Sequence, residues 1–375
     1  MGFSWSSYIA QEEILDLCKH AGLAQDSFLA CDCPTPSSFD LVAAAATDDV
    51  MIFSTAGAGV TSQAAARLDD AFTSRGAVRN AKKDVNDALC ATCVGVDLVD
   101  GFFLDIPAAR YLALIVTFLF LHCRKKASPK HVQQLLGALQ WFDLLVRPKL
   151  SVYSDIYSFT GLPNVNTLMQ LPTAVLGELA CSIVLGIFWR CDLRRPFLQM
   201  LGATDASVEY GFGASILKTS EQYVRQVARW AEKQGAFILM DGGCAPAEQL
   251  CRSGEAHRLE ASLNDFSDVF SVRRKHPAHI NVLEGEAFIL FLRWLLRSRK
   301  HHSHRVVILV DSAVWLGAAA KGRSSSQLNR LLRRMAALTM AGDLQLHLIL
   351  VPSQENPSDA PSSGRRRKRS AKETC

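Results

Sequence analysis

Four carboxylates stand where the surrounding sequence places a strand end or a helix start: Asp205, Glu284, Asp311 and Asp359. No Ser/His/Asp or Cys/His arrangement and no Gly-rich phosphate loop lies near them. A set of acidic oxygens alone suits hard divalent cations, Mg²⁺ or Mn²⁺. Two such ions in one carboxylate cage can activate water on one side of a phosphodiester and stabilise the departing oxygen on the other.

The elements that must carry these groups are legible in outline. Residues 306–310 are five consecutive apolar residues, mostly β-branched, and read as a buried strand that Asp311 terminates. Residues 198–204 lead in the same way to Asp205, which is followed by Gly211-Phe212-Gly213. A second apolar run, 346–351, precedes Asn356-Pro357-Ser358-Asp359, where Asn at the N-cap and Pro at the first helical position predict a helix with Asp359 in its first turn. The stretch 281–299 has no Pro and one Gly and reads as a helix. Stepping by three and four from Glu284 gives Ala287, Phe288, Phe291 and Leu295, which puts Glu284 on the core side. Glu286 shares its side with Arg293 and Arg297 and is expected to be solvated. A carboxylate on an apolar face is costly unless hydrogen-bonded, paired or bound to metal, so Glu284 is either a satisfied core residue or a ligand.

In that order, strand Asp, helix Glu, strand Asp and helix-start Asp, the chain resembles the ribonuclease H domain of retroelement reverse transcriptases, DIRS-like and related long-terminal-repeat-type elements above all. The matching motifs are Thr204-Asp205-Ala206-Ser207 with Gly211-Phe212-Gly213-Ala214, then Ile280-Asn281-Val282-Leu283-Glu284, Val310-Asp311-Ser312, and Asn356-Pro357-Ser358-Asp359. Lys321-Gly322-Arg323-Ser324 is similar to the polar turn after the third acidic strand. The resemblance implies cleavage of the RNA strand of an RNA–DNA hybrid with two Mg²⁺ or Mn²⁺ ions. Asp205, Glu284 and Asp311 would be inner ligands and Asp359 would complete the second site, with Lys321, Arg323 and Ser324 touching nucleic acid. Many relatives carry a His in the loop before the last Asp. Here that loop holds Glu355 as a possible substitute, while His347 lies back in the strand.

The first hundred residues resemble the polymerase part of the same enzymes. Met1-Gly2-Phe3 opens a motif that lines the template and nucleotide pocket, and Thr47-Asp48-Asp49 before an apolar strand is similar to the hairpin that carries two metal-binding carboxylates. Gly76, Asn80 and Lys83 match a Gly-x-x-x-Asn-x-x-Lys segment, with Lys83 a nucleic-acid contact, and Cys93-Val94-Gly95-Val96 matches the primer-grip strand. Ala46 replaces an aromatic residue of the family pattern. The fingers and the first palm Asp normally precede Met-Gly-Phe. The resemblance therefore implies a palm truncated at its N-terminus, and the chain alone is expected to lack polymerase activity. Residues 107–124 and 128–142 read as two thumb-like helices, the second capped by Ser128-Pro129 and striped by Val132, Leu135, Leu136, Leu139 and Phe142. Lys125, Lys126, Lys130, Arg147 and Lys149 flank them as solvated groups or phosphate contacts.

The expected architecture is a mixed α+β and α/β chain. A partial palm (1–105) and a helical thumb and connection (106–195) precede a ribonuclease H-like mixed sheet flanked by helices (196–363), and a basic disordered tail (364–375) ends it. Arg365, Arg366, Arg367, Lys368, Arg369 and Lys372 against Glu373 account for the whole formal net charge of +5, so any other nucleic-acid surface must be a local patch. The tail could be a nuclear-import signal, a phosphate anchor or a plain solvated terminus. Eleven cysteines without regular spacing suggest reduced thiols and an intracellular setting, cytoplasmic or nuclear. Cys90 and Cys93 lack the second pair a zinc site needs. Residues 111–123 are too short to span a membrane, and 171–189, read as one buried helix from 173 to 189, carries Glu178 in its middle; no membrane partner is expected. The expected partners are a hybrid or other nucleic acid and the remainder of a retroelement polyprotein. The competing reading is a non-catalytic nucleic-acid-binding relic.

Overall fold

The computed structural model describes residues 5–365 except 31–35, 37–39, 48, 79, 81, 83, 232–234, 242–253 and 325–326. Asp48, Lys83 and the tail from Arg366 therefore lie outside the described residues. The chain divides into two compact units, Met1–Asp105 and Ile106–Cys375.

In the first unit, helix α1 (Ser6–His20) and helix α2 (Val60–Ser74) pack on a hairpin of β1 (Val42–Ala46) and β2 (Asp49–Phe53). Leu17, Cys18, Ala43, Ala64 and Leu68 form its core. Gln11 on α1 clamps the hairpin tip, donating to the Ala45 carbonyl at 3.1 Å and accepting the Thr47 amide at 2.6 Å. Three short antiparallel strands follow, β3 (Ala91–Cys93), β4 (Val96–Val99) and β5 (Phe103–Asp105).

The second unit begins with helices α3 (Ala108–Arg124) and α4 (Pro129–Asp143), separated by β6 (Lys126–Ala127). Next come α5 (Asp155–Thr160), β7 (Met169–Gln170), which pairs with β6, and α6 (Thr173–Val184), then β8 (Cys191–Asp192). Ser128 accepts the His131 amide at 3.3 Å, the N-cap that its position before Pro129 predicts. Val132, Leu135, Leu136, Leu139 and Phe142 of α4 are all buried. The helix expected to run from 173 to 189 is shorter: α6 ends at Val184 and a 3₁₀ turn covers Leu185–Phe188. Among the described residues, no helix is long and apolar enough to cross a membrane.

Glu178 owes its place in α6 to a different task. It is buried and accepts the amides of Ser154, Asp155 and Ile156 at 2.9–3.0 Å, so it caps α5 from outside; the side chain of α5's own N-cap residue, Ser154, makes no capping bond and instead accepts from Asn329 and Arg333. Lys149 corrects the expectation of a surface cation. It is fully buried, 2.5 Å from Asp143, which also accepts from Trp189 Nε1 at 2.7 Å and from the Tyr153 hydroxyl. A lysine can sit there because the carboxylate and the Trp189 ring, 4.0 Å from its ammonium, replace its water.

The rest of the unit is a mixed seven-stranded sheet flanked by helices. Its strands are β9 (Phe197–Ala206), β10 (Gly211–Lys218), β11 (Phe237–Leu239), β12 (Ala256–Arg258), β13 (Ser267–Arg273), β14 (Arg305–Val310) and β15 (Gln345–Leu350), in the spatial order β12-β11-β15-β14-β9-β10-β13. β9, β10 and β13 are antiparallel neighbours. β14 lies parallel to β9 and β15, and β11 parallel to β15 and β12. The connecting helices are α7 (Glu221–Ala228), α8 (Ile280–Leu295), α9 (Ala313–Lys321), α10 (Leu328–Gly342) and α11 (Asp359–Ser362). The continuous apolar run of β14 follows from burial on both faces: Val306, Ile308 and Val310 pack with α8, α9 and α10, while Val307 and Leu309 pack with α7. α8 lies close on β9 because Gly202 has no side chain; a Cβ there would lie 2.5 Å from the Phe291 ring. Arg333 of α10 fixes the helical segment to this layer, donating to the Ser151 and Val152 carbonyls and pairing with Glu178 at 3.0 Å.

Candidate metal centre

Asp205 lies one residue from the end of β9, Asp311 directly follows the parallel neighbour β14, and Glu284 sits in the second turn of α8. Parallel pairing of Val310 with Thr204 brings the two strand ends level. The three residues each present a carboxylate oxygen within 4.8 Å of the others, and among the described residues this is the one such group. Asp205 and Glu284 are buried and Asp311 is half-buried. Glu284 therefore points where its periodicity predicts. Glu286 is half-buried rather than fully solvated and lines a cavity with Phe212, Leu290, Arg273, Lys275 and His276.

Each carboxylate is aimed by a neighbour. The Ala206 amide donates to Glu284 Oε1 at 3.3 Å, the Ser362 hydroxyl donates to Asp205 Oδ2, and the Ser353 hydroxyl donates to Asp311 Oδ2 at 2.9 Å. Asp311 Oδ1 is buried without a hydrogen-bond partner. Burial first, then the negative charge of Asp311, pushes the Asp205 carboxyl up to about 8, against the Ser362 hydrogen bond. Burial, then Asp311 and Asp205, pushes Glu284 up to about 9. Three acids that repel one another, an orphaned oxygen among them and an all-oxygen donor set fit a hard divalent cation.

Asp359 stands in the first turn of α11, half exposed and outside the close triad, yet near enough for its charge to raise the Asp205 carboxyl. The helix start differs from the expected one. Ser358 is the N-cap residue, and Asn356 precedes the helix, spending its side chain on the Thr204 carbonyl (3.0 Å) and the Ser358 amide (2.9 Å). Asn356 thus ties the last acidic segment to the strand of the first. Gly213, the cross-strand partner of Asp205, lets α11 approach; a Cβ there would lie 2.6 Å from the Ser358 carbonyl and closer still to the Ser362 amide. Sequence reading noticed the glycine pair but missed Ser353 and Ser362, because hydroxyl partners 42 and 157 residues from their carboxylates leave no periodic signal.

Glu355 is committed to a backbone hydrogen bond. Its side chain is buried and accepts the Met240 amide at 2.6 Å, bracing the strand end. His347 packs against Phe197, and burial first, then Arg305, lowers its imidazole to about 4. Arg323 and Gly322 lie against the helical segment, Ser324 bonds α10, and Lys321 is exposed at the end of α9. Arg323 lies 4.6 Å over the Tyr157 ring, the Ser324 amide donates to Asn329, and Gly322 closes α9 against the Arg147 carbonyl. Asp49 is exposed at the start of β2, opposite Ala46.

No family model matches the chain, and no curated protein does. Among solved structures, a foamy viral protease–reverse transcriptase in complex with double-stranded DNA is similar over 91% of this chain and 48% of that one, with 11% identity and a TM-score of 0.37. The chain thus spans about half the length of that protein, and a likeness of this grade carries no weight for the chemistry.

Proposed function

We propose that the mixed-sheet part of the chain, residues 196–363, is a metal-dependent nuclease of the ribonuclease H type acting on the RNA strand of an RNA–DNA hybrid. The observation that carries this is the convergence of Asp205, Glu284 and Asp311 from two parallel strand ends and one helix into a buried all-oxygen cluster. Residues 106–195 act as its helical thumb and connection, and residues 1–105 are a part of polymerase-palm type. Asp205, Glu284 and Asp311 hold Mg²⁺ or Mn²⁺, and Asp359 joins them for a second ion. When bound, such a pair supplies an activated water and stabilises the leaving 3′ oxygen. The chain's own residues set the geometry. Ser362, Ser353 and the Ala206 amide hold three carboxylates in fixed rotamers, while Asn356 and Gly213 keep α11 against the strand that carries Asp205. The basic run Arg273, Arg274, Lys275 and His276 at the β13–α8 connection supplies cations for the hybrid's phosphates.

The test is cleavage of a hybrid labelled on its RNA strand, with Mg²⁺ or Mn²⁺, by the full chain and by Asp311→Asn. RNA-strand cleavage that falls by orders of magnitude in the variant is expected. A wild-type chain that binds hybrid but leaves it intact under both metals would favour the binding relic instead.

A further inference from the structure

We propose that Arg365 is a built-in counter-cation for Asp359: the turn that ends α11 folds its guanidinium onto that carboxylate, so a divalent ion taking Asp359 as ligand competes with it. This rests on the metal-site reading above. The turn is a defined device. Gly364 adopts φ +74°. The Arg365 amide bonds the Ala360 carbonyl at 2.8 Å, six residues closing to one, and the Gly364 amide bonds the Pro361 carbonyl at 3.2 Å. These are the two bonds of a Schellman ending with glycine at the left-handed position. Tyr210 packs against that glycine so closely that a Cβ would lie 2.7 Å from its ring, which fixes where the chain turns back. The next side chain is therefore delivered to the helix's own first residue, and Arg365 Nη2 meets Asp359 Oδ2 at 3.0 Å.

Without a divalent cation the pair is favourable, because Asp359 adds a small share to the negative field on Asp205. It is also weak enough to open: Asp359 is 51% and Arg365 69% exposed, and exposed pairs exchange readily with water and ions. Asp359 is thus held neutralised while the buried triad is free to take a first ion.

Manganese binding alone tests this, by isothermal titration of the full chain with Mn²⁺. Arg365→Ala should tighten the weaker Mn²⁺ site by about two- to fivefold, the range an exposed ion pair supports. Arg365→Lys should stay near wild type. In an Asp359→Asn background, Arg365→Ala should change nothing. If Arg365→Ala has no effect, or the same effect with and without Asp359, while Asp311→Asn still loses Mn²⁺, the counter-cation role is overturned and the carboxylate site stands. If Asp311→Asn binds Mn²⁺ like wild type, the metal-site reading falls, and the role of Arg365 with it.

Discussion

Asp311 contributes one oxygen to a hydrogen bond and leaves the other buried and bare. Its negative charge is also the strongest neighbouring influence raising both Asp205 and Glu284. Asp311→Asn keeps the shape and an acceptor for Ser353 but removes that charge. In metal-free buffer near pH 8 the melting temperature of this variant should hold or rise, since crowding of anions is relieved. A purely structural Asp would instead cost about 1.5–3 kcal/mol, the loss of a charged hydrogen bond. A clear drop in metal-free melting temperature would therefore remove Asp311 from the ligand set. Much at this scale is readable in the sequence: Glu284 shows its face by the spacing of Ala287, Phe288 and Phe291, and all three are buried beside it. The groups that aim the acids are not readable, because Ser353 and Ser362 reach them only through the fold.

At the scale of elements, periodicity serves where burial is local and fails where one element is finished by another. The run 306–310 and the stripe of α4 are visible in sequence because each residue's fate depends on its own strand or helix. The cap of α5 comes from Glu178, more than twenty residues on, so the same carboxylate reads in sequence as a misfit in an apolar helix. Lys149 is a sharper case. Next to Arg147 and Pro148 it looks solvated, yet the fold closes over it together with Asp143, Tyr153, Ser182 and Trp189. Burial pulls its ammonium below the ordinary range, and Asp143 opposes that. Lys149→Met should cost about 3–5 kcal/mol by leaving Asp143 charged and uncompensated. Adding Asp143→Asn should recover part of that loss, because the amide oxygen still accepts from Trp189 without needing a cation. Urea midpoints of the single and double variants decide it. A double variant no more stable than the single one would mean that packing, not charge, makes the pair necessary.

For the whole molecule, the carboxylate cluster and His347 set opposite limbs of a pH profile. Asp205 and Glu284 ordinarily titrate near 4 in an unfolded chain but at about 8 and about 9 in the fold. Between those values the folded, metal-free chain holds protons that the unfolded chain has released, so rising pH favours unfolding. The stabilising contribution is whole below the ordinary carboxylate range and gone above about 9. His347 works the other way: buried beside Arg305, it stays neutral down to about 4, whereas an unfolded imidazole charges near 6.5. Its contribution is whole above 6.5 and is lost as pH falls toward 4. Above pH 6.5 only the carboxylate limb remains, so the metal-free melting temperature should fall steadily from pH 7 to 9. Glu284→Gln should flatten that fall, because a neutral amide has no proton to lose. Saturating Mg²⁺ or Mn²⁺ should remove it as well, since a cation binds the deprotonated acids, and the stabilisation by metal should grow with pH. A His347→Gln variant should leave the alkaline limb alone and soften the acid one. A metal-free profile that is level from pH 7 to 9, or one unchanged by Glu284→Gln, would show that these acids titrate near their ordinary values and that the cluster is wetter and looser than their burial and the 4.8 Å grouping imply.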